Sequence, residues 1–149
     1  MKERHYILGL FAAVWFLAAT ACAGQQKEPW RADQLMPPED LAAIIDNPTA
    51  VKPLIISIGP AGLISGSVEV GQVKEQESLD SLKRLLSKQE KDRDIVLYCG
   101  CCPFKDCPNI RPAFSLANRM EFTNHKLLNL SHNLKVDWID HSYPVTDVQ

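Results

Sequence analysis

Apolar residues along this chain fall into two kinds of run. The dense kind is seen at residues 51–58 (VKPLIISI) and 94–98 (DIVLY), which read as strands buried on both faces, as in a parallel sheet. The spaced kind follows the helical period. Leu79, Leu82, Leu85 and Leu86 form one such stripe, with Ser78 as the expected N-cap. Ala113, Leu116, Ala117 and Met120 form another over residues 112–120. An earlier short helix opens on Pro37-Pro38-Glu39-Asp40, where proline suits the first turn and acids suit the positive end of the dipole, and its stripe is Leu41, Ile44 and Ile45. Residues 67–70 and 126–130 read as two further strands, and residues 59–62 (GPAG) as a break. Residues 137–143 close the chain around Trp138. Strands alternating with helices predict an α/β domain with a central, mostly parallel sheet flanked by helices.

Composition narrows this little but excludes much. The 149 residues are 46% hydrophobic and 23% charged, which suits one globular domain and not a disordered chain. A net charge of −2 leaves no basic footprint, so nucleic acid is not an expected partner. Five cysteines are too few for a dense disulfide scaffold, but four of them (Cys99, Cys101, Cys102 and Cys107) fall in one short stretch.

The fifth, Cys22, belongs to the N-terminus. Lys2 and Arg4 precede an uncharged apolar run at residues 7–19, about the length of a secretory h-region and short for a spanning helix. Ala19-Thr20-Ala21-Cys22 then resembles a bacterial lipobox. Residues 1–21 are therefore expected to be a signal peptide, Cys22 the lipidated N-terminus, residues 22–36 a polar tether, and residues 37–149 the folded domain. Trp30 and Leu35 are the tether residues with the means to dock. The expected location is the periplasmic side of a bacterial membrane, held by acyl chains. Ordinary cleavage would instead give a secreted or soluble periplasmic protein.

The order of motifs resembles a single rhodanese-like domain from about Pro37 to Val145. Residues 54–58 stand where that family has its first core strand. Residues 62–70 (GLISGSVEV) are similar to its Gly-His-Ile-Pro-Gly-Ala-x-Asn-Ile segment. Ile95-Val96-Leu97-Tyr98-Cys99 is similar to the strand ending in the catalytic cysteine. Trp138 and Tyr143-Pro144-Val145 match its closing residues. The chain departs from the pattern where Ser57-Ile58-Gly59 replaces Asp-x-Arg, where Leu63 replaces His, and in a longer loop after the cysteine. The resemblance implies a three-layer rhodanese-like fold and sulfurtransferase activity. Cys99 would be the nucleophile, a small sulfur-containing anion or a persulfide the donor, and a thiol the acceptor, with no cofactor.

The loop itself supplies chemistry of its own. Residues 99–112 run from a strand end to a helix start, the crevice where open α/β sheets bind ligands. A helix N-terminus there favours thiolate over thiol. Gly100, Lys105 and Arg111 are the candidates to hold an anion, and Cys101, Cys102 and Cys107 are candidate resolving or auxiliary thiols. The spacing Cys99-x2-Cys102 also suits thiol–disulfide exchange, and the four cysteines together suit a soft metal such as Zn(II) or Cu(I). A disulfide joining Cys102 to Cys107 is a further alternative, as is a rhodanese-fold binding protein without activity. The histidines at 125, 132 and 141 are scattered and read as surface residues. Phe104 reads as docked on the domain.

Overall fold

The computed structural model describes residues 28–60 and 62–146. The expected signal peptide and Cys22 lie outside the described residues. The elements follow in the order β1 (Leu35–Met36), α1 (Pro38–Asp46), β2 (Leu54–Ser57), β3 (Val68–Glu69), α2 (Gln76–Leu86), β4 (Ile95–Tyr98), α3 (Ile110–Arg119) and β5 (His125–Leu128). A π-helical turn, Lys135–Ile139, comes last. The five strands form one sheet in the order β1-β5-β4-β2-β3, and every pairing is parallel.

Strand parity divides the core. Ile95, Leu97 and Cys99 point to the layer holding Leu82 and Leu86 of α2 and Ile110, Ala113, Phe114 and Ala117 of α3. Val96 and Tyr98 point to the other layer, with Leu41 and Ala42 of α1, Leu134 and Trp138. All four residues of β4 are buried, as a central strand with helices on both faces requires. Each such aliphatic side chain contributes about 1.5–3 kcal/mol by leaving water. Trp138 is fully buried, and its indole N–H donates to the Pro144 carbonyl at 2.9 Å.

Four expectations are revised at their edges, each for a local reason. The tether ends earlier than residue 36. Leu35 and Met36 pair with Leu127 and Leu128, and Trp30 packs on Phe104 and Phe114 with ring centroids 5.8 and 5.9 Å apart. Residues 51–53 are not strand, because the Lys52 ammonium turns back to the carbonyls of Ile44, Ile45 and Asn47 that end α1. Helix α2 starts before Ser78: Glu75 is its N-cap, and Glu77 lies in its first turn. The apolar stripe marked only the part of the helix that touches the core. Helix α3 starts at Ile110, with Pro112 in its first turn, where an N–H has no helical partner to lose.

The C-terminal segment fixes the stretch after β2. Ile64 bridges Val145, the Ser65 N–H donates to Pro144, and the Thr146 N–H donates to Leu63. This holds residues 62–67 beside the carboxyl ends of the strands, next to the cysteine loop.

Candidate functional site

The sheet order reverses direction between β2 and β4. The chain leaves β2 outward to β3, and leaves β4 the other way to β5. The carboxyl ends of these two strands therefore flank the crevice where open α/β sheets place ligands. Their ladder extends one bond further, with the Ile58 N–H donating to Tyr98 at 2.9 Å. Next on each strand come Gly59 and Cys99. A Cβ on Gly59 would lie 2.6 Å from the Cys99 sulfur, so only glycine leaves that sulfur its place. Sequence reading treats Gly59 as a chain breaker, and its second role needs the partner strand to be seen.

Cys99 is 1% exposed but well furnished with partners. Its Sγ is 3.4 Å from the Cys101 Sγ and 3.5 Å from the Asn109 Nδ2, which donates to it. The buried Cys107 thiol and the Cys101 backbone N–H also donate to it. The Cys107 hydrogen bond is the largest influence on its ionisation. It outweighs burial and, with the Cys101 backbone N–H, the Asn109 amide and the Cys101 thiol, lowers the Cys99 pKa to about 5. The cost falls on the neighbours. Cys107 is pushed up chiefly because it donates to Cys99. Cys101 is pushed up to about 12, first by burial and then by the adjoining sulfurs. One thiolate is thus held among thiols, and its position is the strand end.

Asn109 is the site residue that sequence reasoning misses. It is 1% exposed and stands at the residue before α3. Its amide N–H2 reaches Cys99 and, at 3.8 Å, Cys107. Its Oδ1 accepts the Lys74 N–H at 2.9 Å, which fixes the amide from behind. The available signal was a buried-side asparagine just before a helix, in Cys107-Pro108-Asn109-Ile110.

The loop is anchored at both ends of its first half. The Gly100 carbonyl accepts the Leu134 N–H at 2.9 Å, and the Phe104 N–H donates to the Leu130 carbonyl at 3.0 Å. A Cβ on Gly100 would sit 2.8 Å from that of Leu134, so this glycine serves close packing. The use of Leu130 here explains why β5 ends at Leu128 and not at residue 130. Phe104 is buried against Trp30 and docks the loop as expected.

The four loop cysteines are unbridged. They do not group as the Cys99-x2-Cys102 spacing suggests. The sulfurs of Cys99, Cys101 and Cys107 lie within 4.8 Å of one another. Cys102 stands to the side, in contact with Cys101 at 3.4 Å. Cys101 is exposed and borders an open pocket of about 200 Å³ walled by Pro60, Leu63, Leu134 and Ile139, with Lys135 at the edge. Of the expected anion-binding side chains, Lys105 is exposed on the turn after Pro103. The Arg111 guanidinium is engaged elsewhere, 2.8 Å from the Glu28 carboxylate and over the Trp30 ring.

The histidines separate. His132 is exposed and bonded to Asp137 at 2.9 Å. His125 is not on the surface: it is 2% exposed, packed on the Phe114 ring, with neither ring nitrogen hydrogen-bonded. No family model matches this chain, and no curated protein matches it.

Proposed function

We propose that this chain is a rhodanese-like sulfurtransferase that carries sulfane sulfur on Cys99. The observation that carries the reading is a thiolate fixed at the carboxyl end of the central strand β4, at the reversal of strand order, by donors from Cys107, Asn109 and the Cys101 backbone. A thiolate, not a thiol, is the nucleophile in this chemistry. The parallel five-stranded sheet flanked by helices is compatible with the rhodanese-like order of motifs.

The reaction is covalent catalysis in two steps. The Cys99 thiolate attacks the outer sulfur of a donor such as thiosulfate. A sulfur–sulfur bond forms to Cys99, the donor's own sulfur–sulfur bond breaks, and sulfite leaves with the electron pair. A thiophile, cyanide or a thiolate, then attacks the outer sulfur of the Cys99 persulfide and releases the Cys99 thiolate. Asn109 and Cys107 hold negative charge on Cys99 before attack and again on its release. The donor approaches past the exposed Cys101 side chain. Export through residues 1–21 and attachment through Cys22 belong to the same proposal.

The test is to incubate the reduced chain with thiosulfate, then measure intact mass and thiocyanate formed from cyanide. One added sulfur is expected on the wild type and none on Cys99→Ser. Unchanged activity in Cys99→Ser would overturn the reading.

A further inference from the structure

Sulfur transfer through Cys99 uses one thiol as nucleophile, employs Cys107 only as a hydrogen-bond donor to it, and gives the Cys101 thiol no step. Cys99 follows the end of β4, Cys101 lies on the exposed part of the same loop, and Cys107 lies in the turn before α3. Their sulfurs converge within 4.8 Å of one another, with those of Cys99 and Cys101 3.4 Å apart. We propose that Cys99, Cys101 and Cys107 form a three-thiolate site for a soft d10 metal ion, with Cu(I) the best match.

Three sulfurs bound at about 2.3 Å to one ion stand roughly 3.8–4.0 Å apart. Cys99 and Cys101 stand 3.4 Å apart and every pair lies within 4.8 Å, so adjustments of no more than about 1 Å bring the three sulfurs to that spacing. Thiolates select Cu(I) and zinc over harder ions. A structural zinc site takes four ligands, whereas Cu(I) is satisfied by three sulfurs. Among the described residues, no histidine or carboxylate joins the three sulfurs. Cys102 adjoins Cys101 at 3.4 Å and lies outside the group of three sulfurs. Asn109 supplies the outer support that metal sites require, since its amide faces Cys99 and Cys107 and is held from behind by the Lys74 N–H. Cys101, exposed at the mouth, is the point of entry. One sulfur cannot be persulfide and metal ligand together, so bound Cu(I) blocks sulfur loading of Cys99, and a chelator restores it.

The experiment is anaerobic competition between the full-length reduced chain and a chromophoric Cu(I) chelator, with X-ray absorption on the loaded protein. The expected result is one Cu(I) retained per chain, bound by three sulfurs. Cys101→Ser and Cys107→Ser should each weaken retention by more than about 100-fold, and Asn109→Ala by about 10-fold. Cys102→Ser should stay near wild type. Cys107 is buried, so the exposed Cys101→Ser carries the test if Cys107→Ser does not fold. The proposal is overturned if the wild type yields all its Cu(I) to the chelator, or retains Zn(II) but not Cu(I). It is equally overturned if Cys102→Ser loses as much as Cys101→Ser, which would mark a surface pair. Sulfur loading of the metal-free chain is read separately, so failure here leaves the transferase reading standing.

Discussion

Two titratable side chains are sealed into the sheet at its opposite ends. Cys99 follows the carboxyl end of β4 and is 1% exposed; His125 opens β5 and is 2% exposed. Burial acts against the charged form of both. At His125 it is the largest influence. Neither ring nitrogen is hydrogen-bonded, and burial lowers the pKa from 6.5, the Phe122 backbone pulling the other way and the Arg31 charge adding to the fall. The ring is kept neutral and packs like a hydrophobe on Phe114, with centroids 4.5 Å apart. At Cys99 four donors, the Cys107 thiol, the Cys101 backbone N–H, the Asn109 amide and the Cys101 thiol, reverse the effect of burial. Equal burial thus gives a silent residue at one end and a charged nucleophile at the other. Partners make the difference.

The sharpest break of that comparison is Cys99→Ser, which should lose sulfur loading entirely while His125→Leu keeps it, read by intact mass after thiosulfate. Gly59→Ala comes next. Its Cβ would lie 2.6 Å from the Cys99 sulfur, so the sulfur must move. A displacement of about 1 Å at a reacting atom costs on the order of 100-fold in rate. Transfer kinetics check this, with circular dichroism to confirm the fold.

Removing a donor is a milder change. In the reduced, metal-free chain Cys99 ionises near pH 5, so its alkylation by a small reagent should be nearly independent of pH above about 6. Cys107→Ala removes the largest influence, and the midpoint should climb toward the ordinary thiol value of 9.0. A midpoint left near 5 would show that Cys107 is not the controlling donor.

The smallest effect belongs to His125. Its folded pKa lies below its unfolded value, so between the two the unfolded chain binds the extra proton and stability rises with pH. The wild type should therefore lose stability as pH falls below about 6.5, and His125→Leu should lose less. At pH 8 the substitution should change stability by about 1 kcal/mol or less, because it replaces a buried group with no hydrogen bond. Denaturant midpoints at pH 8 and pH 5 measure both.

These contrasts also show what the sequence could reveal. The dense run Ile95–Tyr98 disclosed β4, because a strand covered on both faces must be apolar throughout. The two-residue β1 was hidden in a polar segment, since its place depends on pairing with Leu127 and Leu128 far along the chain. His125 reads as a surface residue in the sequence but is buried, because one polar residue at a strand start carries no periodic signal. The cysteine stretch was conspicuous, but its membership was not. Spacing pointed to Cys99 with Cys102, whereas the fold of residues 100–107 turns Cys107 inward beside Cys99 and leaves Cys102 at the side. Asn109 and Gly59 act across the sheet crevice, on partners that only the tertiary fold brings near.

The most direct measurement of the central claim is intact mass of the reduced chain after thiosulfate at pH 6 and pH 8. A persulfide on Cys99, formed at similar rates at both pH values and absent from Cys99→Ser, is the predicted result. An unmodified wild type, or loading that survives in Cys99→Ser, would contradict it.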